Sequence, residues 1–129
     1  MMKDVSKALK RDEAEAHFRE GVLLAGKGKH EEAEKEYREA IRLKPKHAMA
    51  HYNLGVLYGE RENFGEAAKA YRRAIRLNPD YLGALRNLAV CLDLLGRARE
   101  ARGHWERALT LEKNPDVGEF IRKRLARSD

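Results

Sequence analysis

The stretch GVLLAGKGK, residues 21–29, has nearly the spacing of a loop that binds nucleotide phosphates. In that motif, G-x-x-x-x-G-K-S/T, backbone N–H groups cradle the phosphates, the lysine reaches them, and the hydroxyl holds Mg²⁺. Gly21, Gly26 and Lys27 match the motif, but Gly28 stands where the hydroxyl residue is required. The motif also needs a β-strand before it and a helix after it, so the surrounding elements decide its meaning.

Histidines and one cysteine are the other residues with the chemistry of a site. His47 and His51 are four residues apart, as two metal ligands on one helix face would be, but no third ligand accompanies them. Spacing gives Cys91 no His or Lys partner, which indicates a buried structural thiol. We therefore predict no catalytic residue, no metal site, no cofactor and no enzymatic activity.

An internal repeat with a period of about 34 residues organises the chain. EYREAIRLKP at 36–45 returns as AYRRAIRLNP at 70–79, and a weaker copy, HWERALTLEK, occupies 104–113. The recurring positions hold aromatic residues, small residues and a closing proline: Tyr37, Tyr71 and Trp105; Ala33, Ala67 and Ala101; Gly21, Gly55 and Ala89; Pro45 and Pro79. Self-similarity at this period is typical of proteins built from stacked helical units.

Helical periodicity runs through all three copies. Apolar residues recur at i, i+3 and i+4, and no segment alternates as a β-strand does. Turn-forming stretches separate about seven predicted helices, at roughly 4–26, 31–43, 48–60, 65–77, 82–95, 98–111 and 117–127. Because no strand precedes it, GKGK at 26–29 is interpreted as a turn between two helices rather than a phosphate loop. His17 and His51 hold equivalent places in the first two copies, and both are expected to be half-buried spacers.

The repeated residues resemble the tetratricopeptide repeat (TPR), whose second helix carries A-x-x-x-F and a later proline. The copy at 48–81 matches best, whereas the third departs at Ala89, Leu92 and Pro115. The resemblance implies an all-α, right-handed solenoid of antiparallel helix pairs, forming one domain over 1–129. We expect an extension of the first helix at 1–13, repeats at 14–47, 48–81 and 82–115, and a capping helix at 116–129.

In a TPR solenoid the first helix of each pair lines the concave side, and this implies a recognition groove. The residues expected to line it are Phe18, Arg19, Val22, Met49, Tyr52, Asn53, Val56, Arg86, Asn87 and Val90. Asn53 and Asn87 hold equivalent places in repeats two and three and resemble the asparagine ladder of TPR arrays, in which each amide can pair with a peptide backbone. The alternative is that both are scaffold residues, common at this place in the family. Gly21 and Gly55 are expected to face Ala33 and Ala67.

One specialised TPR groove grips the acidic C-terminus of heat-shock proteins with a clamp of lysines, asparagines and an arginine. The matching positions here are Phe18, Val22, Asn53, Gly83 and Asn87, and only Asn53 agrees with the clamp. Without the lysines and the arginine, no preassembled cationic grip for a carboxylate is expected. Arg19 and Arg86 remain candidates for attracting an acidic ligand.

The composition and the charge of the chain restrict the classes of partner it is expected to bind. The net charge of +6 is spread evenly over the repeats, which argues against a nucleic-acid surface. The N-terminus lacks the apolar segment of a secretion signal, and no segment is apolar enough to insert into a membrane. Because the chain also has a single cysteine, we expect a cytoplasmic protein. High charge and the absence of glutamine resemble the composition of thermophile proteins.

The sequence thus predicts a protein-interaction module that binds a protein or peptide of unspecified identity in its concave groove. The alternative is a structural protein that assembles into homo-oligomers or filaments by end-to-end stacking of solenoids. In that alternative, Val5, Leu9 and Phe18 would be exposed at the N-terminal end.

Overall fold

The computed structural model describes residues 2–127, so the ends of the predicted first and last segments, residue 1 and residues 128–129, lie outside it. The described residues form seven α-helices and no strand: α1 (Met2–Gly26), α2 (His30–Leu43), α3 (Ala48–Glu60), α4 (Phe64–Leu77), α5 (Leu82–Leu94), α6 (Ala98–Leu111) and α7 (Pro115–Ala126). They pack as the successive pairs α1–α2, α3–α4 and α5–α6, and α7 packs on α6. The predicted all-α helical-repeat fold of about seven helices is confirmed.

The turn inside each helix pair has the same backbone geometry. Gly28, Glu62 and Gly96 have positive φ angles of 76°, 58° and 77°, and they hold equivalent places in the three repeats. Glycine adopts this left-handed conformation without steric penalty, whereas the Cβ of Glu62 makes it costly by roughly 1–2 kcal/mol. The GKGK stretch is therefore a helix-to-helix turn, as the repeat predicts.

In the core of each of the first two repeats, a tyrosine ring packs directly against a glycine. A Cβ added at Gly21 would lie 2.6 Å from the ring of Tyr37, and one added at Gly55 would lie 2.7 Å from the ring of Tyr71. The atoms nearest to the position of the missing Cβ thus belong to a tyrosine ring, while the expected approach of Ala33 and Ala67 to these glycines stays a prediction. The small residue makes space for an aromatic side chain, and both rings are buried.

Repeats one and two are joined at the start of α3, where His47 caps the helix. The His47 Nδ1 accepts a hydrogen bond from the backbone N–H of Ala50 at 3.2 Å, and its Nε2 lies 3.2 Å from a carboxylate oxygen of Glu15 on α1. The imidazole also packs on Phe18, with ring centroids 4.7 Å apart. One buried histidine therefore orients α3 and binds it to α1.

A carboxylate surrounded by three hydrogen-bond donors joins α2 to α3. Glu34 accepts hydrogen bonds from the Arg61 guanidinium at 2.7 Å, the Tyr58 hydroxyl at 2.9 Å and the Arg38 guanidinium at 3.0 Å. Partial burial opposes ionisation, but the hydrogen bonds from Arg61, Arg38 and Tyr58 outweigh it and lower the pKa of Glu34 to about 2. The carboxylate therefore stays charged in the folded protein through mildly acidic conditions.

The C-terminal helix is held by Asp93 near the end of α5. Its Oδ2 accepts hydrogen bonds from the indole N–H of Trp105 at 2.9 Å and from Nε of Arg124 on α7 at 2.8 Å. The helix itself starts at Pro115, two residues earlier than predicted, because the Asn114 side chain caps it by accepting from the N–H of Asp116 at 2.9 Å. One aspartate thus ties three consecutive helices together.

Two histidines, the buried His51 and the half-buried His104, are expected to make stability depend on pH. Burial lowers the pKa of His51, even though its Nε2 hydrogen-bonds the carbonyl oxygen of Pro45, and burial together with the Arg72 guanidinium lowers the pKa of His104. As the pH falls below about 6.5, the unfolded chain binds protons that the folded chain does not, so the free energy of unfolding should fall. Urea denaturation followed by circular dichroism at about pH 7.5 and pH 5.5 measures it.

The variant His51→Gln provides the control, because its amide can still donate to Pro45 but does not titrate in this range. Its loss of stability on acidification should be smaller than that of the parent protein. Parent stability that stays constant or rises between the two pH values would contradict the expectation.

Within residues 2–127, no helix has both the length and the apolar character needed to cross a bilayer. Cys91 is a free thiol buried in α5, and burial raises its pKa, so it is a poor nucleophile at neutral pH.

Candidate functional site

The ten residues predicted to line the groove all lie on the first helix of a pair, α1, α3 or α5, but they differ in exposure. Val22, Met49 and Val90 have 44%, 54% and 42% of their surface exposed, which is high for apolar side chains. Arg19 is also exposed. The half-buried members are Tyr52, Asn53, Val56, Arg86 and Asn87.

Phe18 is the exception, and the structure corrects its expected place on the surface. Only 6% of the side chain is exposed, because the rings of Tyr37 and His47 pack against it with centroids 6.0 and 4.7 Å away. Phe18 therefore belongs to the core beneath the groove. For the same reason Phe18 is not exposed at the N-terminal end, where it was expected beside Val5 and Leu9.

Each groove asparagine is hydrogen-bonded to a core tyrosine of the preceding repeat. The Asn53 amide donates to the hydroxyl of Tyr37 at 3.5 Å, and the Asn87 amide donates to that of Tyr71 at 3.3 Å. Both pairs are separated by 16 residues in sequence. Desolvation raises the pKa of Tyr71 and of Tyr37, so both hydroxyls stay protonated near neutral pH. Both asparagines thus have a scaffold role, whether or not they also contact a ligand.

Tyr52 occupies the junction between the second and third repeats. Its hydroxyl accepts a hydrogen bond from the Asn87 amide at 3.3 Å, and its ring stacks on Tyr81 with centroids 4.8 Å apart. Gly83 permits this arrangement, because a Cβ there would lie 2.9 Å from the Tyr52 hydroxyl oxygen. Among the ten predicted residues, which all lie in the described part of the chain, hydrogen bonds or ring contacts join only Tyr52 and Asn87.

The basic residues of the groove do not form a cationic grip. The Arg86 guanidinium donates to Glu112 at 2.8 Å, and the Glu112 side chain is itself buried. An acidic ligand would therefore have to compete with this carboxylate for Arg86. Phe18 and Gly83 stand at two clamp positions. Phe18 is buried in the core, and a side chain at position 83 would collide with Tyr52.

The described residues contain no group of three or more His, Cys, Asp or Glu side chains placed to hold a metal ion. His47 and His51 instead have structural partners in Glu15 and Pro45. What the groove offers chemically is exposed apolar surface beside fixed amide groups, an arrangement suited to reversible binding.

Several residues of the site were missed by sequence reasoning. Tyr37 and Tyr71 were seen only as recurring aromatic residues, although tyrosine recurs in repeats one and two and asparagine in repeats two and three, which keeps a constant separation of 16 positions. That constant separation was the available signal. Tyr81 holds the place that His47 has one repeat earlier, and this recurrence of a ring was a further signal, whereas Glu112 has no periodic counterpart.

A concavity outside the predicted groove lies between α2 and α4, with α3 at its floor. It has a volume of about 390 Å³, and the side chains around it include Ile41, His51, Leu54 and Ala70. Four Lys or Arg residues line it, and three of them, Arg38, Arg42 and Lys69, are each paired with a glutamate of their own helix: Glu34, Glu39 and Glu66; the fourth is Arg73. Local pairing thus neutralises most of its charge.

Stacked helix pairs joined by tyrosine–asparagine contacts define the class of this protein, an all-α helical-repeat solenoid. A family model described as Tetratricopeptide repeat matches residues 48–81, and one described as TPR repeat matches residues 21–61. The chain is a tetratricopeptide repeat protein. No curated protein matches it in sequence.

Solved TPR domains have the same fold. The second TPR domain of Spaghetti (RPAP3), bound to the HSP90 peptide SRMEEVD, is 26% identical, with a TM-score of 0.78 over 82% of this chain and 97% of that one. The N-terminal domain of stress-induced protein-1 (STI-1) from C. elegans is 19% identical, with a TM-score of 0.82 over 92% and 98%. The Arabidopsis OM64 TPR domain is 22% identical, with a TM-score of 0.82 over 91% and 97%.

Proposed function

We propose that this chain is a non-catalytic, cytoplasmic protein-interaction module that binds a peptide or a partner helix in its concave groove. The observation that carries the proposal is the row of exposed apolar side chains on successive first helices, beside Asn53 and Asn87. Val22 and Val90 occupy equivalent places in repeats one and three, and Met49 lies between them on α3. Exposed apolar surface with a few fixed polar groups is typical of a recognition site.

The peptide-bound neighbour supports the ligand class but not its identity. Spaghetti binds the acidic peptide SRMEEVD, whereas the present groove has Arg86 already paired with Glu112 and no lysine at the clamp positions. We infer that the ligand contributes apolar side chains, with its backbone bonded by the asparagine amides. SRMEEVD therefore serves as a negative-control ligand.

The test is selection of ligands from a displayed random-peptide library, followed by calorimetric titration of the best peptide against two double variants. Asn53→Ala/Asn87→Ala should weaken binding by about tenfold or more, because each lost amide–backbone hydrogen bond contributes about 1 kcal/mol. Tyr37→Phe/Tyr71→Phe is the matched control, since it breaks the Asn53–Tyr37 and Asn87–Tyr71 hydrogen bonds but leaves both amides in place. Its affinity should stay within about threefold of the parent.

Equal weakening by the two double variants would show that the asparagines act only through the scaffold. Undiminished binding by the asparagine variant would show that the ligand lies elsewhere. Thermal melting of every variant, carried out first, separates a loss of binding from a loss of folding.

Self-assembly is a second candidate, and one observation favours it. Val5 and Leu9 lie one helical turn apart on α1 and are 60% and 57% exposed, giving an apolar stripe at the N-terminal end. A second copy could cover this stripe. A sedimentation coefficient that rises with protein concentration would support this candidate over a monomeric module.

A further inference from the structure

The first helix is much longer than the helix it pairs with, and this leaves a cleft at one end of the solenoid. α1 has 25 residues and α2 has 14. At 1.5 Å per residue, the N-terminal part of α1 overhangs its partner by roughly 16 Å. A cleft of about 600 Å³ lies between this overhang and the loop that joins α2 to α3. It shares no residue with the groove described above.

The packing face of α1 changes character where α2 ends. Ala14, Phe18 and Gly21 follow the i, i+4, i+7 spacing of one helix face, and all three are buried. Counting back from Ala14 by three, four and seven residues, the same face continues with exposed cationic residues: Arg11, Lys10 and Lys7. On the overhang, this helix face thus carries exposed positive charge, whereas along the rest of α1 the same face is buried in the core.

The loop on the other side of the cleft adds two more cations. Lys44 and Lys46 line it together with the apolar side chains of Leu43 and Pro45, and Asp4 is the one carboxylate in the lining. In the described part of the chain, none of the five cations has a carboxylate within ion-pair distance, in contrast to the paired arginines of the α2–α4 concavity. Five cations and one carboxylate around a concave corner leave an excess of positive charge, which attracts an anionic ligand.

We propose that this cleft binds an acidic segment of a protein partner. Asp and Glu side chains of the segment pair with the lysines and Arg11, while an apolar side chain packs on Leu43 and Pro45. A peptide fits this corner better than nucleic acid, because no aromatic side chain lines the cleft for base stacking. A concave corner also does not match the flat surface of a bilayer.

The experiment measures fluorescence anisotropy of a labelled acidic octapeptide, Glu-Glu-Leu-Glu-Glu-Leu-Glu-Glu, titrated with the full chain. Lys44→Glu/Lys46→Glu and Lys7→Glu/Arg11→Glu should each raise the Kd by at least about tenfold, because each removes two attractions and adds two repulsions. The matched control is Lys27→Glu/Lys29→Glu, which makes the same charge change in the α1–α2 turn. Its Kd should stay within about twofold of the parent.

Equal weakening by the control pair would overturn the proposal, because net charge rather than the cleft would then govern binding. It would also be overturned by the absence of saturable binding at low salt. Tighter binding to a single-stranded oligonucleotide or to phosphatidylserine vesicles, lost in the same cleft variants, would assign the cleft to another ligand. If a glutamate variant unfolds, Lys44→Gln/Lys46→Gln replaces it, with a smaller but measurable loss expected.

Discussion

Replacing Gly55 with alanine is expected to destabilise the protein by about 2 kcal/mol, although alanine is intrinsically the better helix former. The added methyl group would lie 2.7 Å from the ring of Tyr71, closer than carbon atoms can approach. The ring is buried and its hydroxyl is hydrogen-bonded to Asn87, so either the ring must leave its place or α3 and α4 must separate. The midpoint of thermal unfolding should fall by about 8 °C.

Gly103→Ala is the matched control, because Gly103 lies within α6 and has nothing within 4 Å of its missing Cβ. At this position alanine differs from glycine only in its higher helix propensity, so the free energy of unfolding should rise by about 0.8 kcal/mol. The two changes are chemically identical but should act in opposite directions. If Gly55→Ala left the melting temperature unchanged, the glycine–tyrosine contact would not limit the approach of the two helices.

Asp93→Ala should release the C-terminal helix and cost about 3 kcal/mol, since hydrogen bonds to a charged group contribute about 1.5–3 kcal/mol each. The change removes the acceptor of the buried Trp105 indole and of Arg124 together. Hydrogen exchange followed by mass spectrometry should show α7 amides exchanging much faster, while amides of α3 and α4 stay protected. A urea titration gives the accompanying loss of stability.

Asp80→Ala is its control, because Asp80 also pairs with an arginine, Arg107, but both side chains are at least half exposed. Exposed pairs contribute little, so this variant should lose less than about 0.5 kcal/mol and keep α7 protected. Equal losses from both substitutions would mean that Asp93 acts only as a surface charge. Unchanged exchange in α7 would mean that apolar contacts alone hold the helix.

The helices could be predicted from the sequence because their signals are local and repeated. Every predicted helix bound lies within two residues of the observed one, since glycine, proline and asparagine mark the same turns in successive copies. The pairing of Tyr71 with Asn87 was also within reach, because both residues recur at the period of the repeat. The exposed positions of Val22 and Val90 follow from the same periodicity.

The remainder depends on contacts between residues that are far apart in the sequence and differ in type from one repeat to the next. Phe18 was expected on the surface because the contact with the His47 ring was not foreseen, although Tyr52 and Tyr81, at the equivalent places of the next repeat, make the same ring contact. Arg86 was expected to be available for an acidic ligand, but Glu112, 26 residues away, binds it. Whether Asn53 and Asn87 contact a ligand remains a prediction, because their bonds to tyrosines suit either role.

The contact between Tyr52 and Gly83 affects how a repeat array of this kind can grow by gene duplication. A tandem copy of residues 48–81 would keep every tyrosine-to-asparagine separation at 16, so those links would form again at once. The residue of the copy that meets Tyr52, however, would be the equivalent of Met49, and a side chain would enter space that only glycine leaves open. A newly duplicated repeat would therefore fit its neighbour poorly until one of these two positions mutated. Each repeat is thus adapted to the neighbour it now has, and the units are not freely exchangeable.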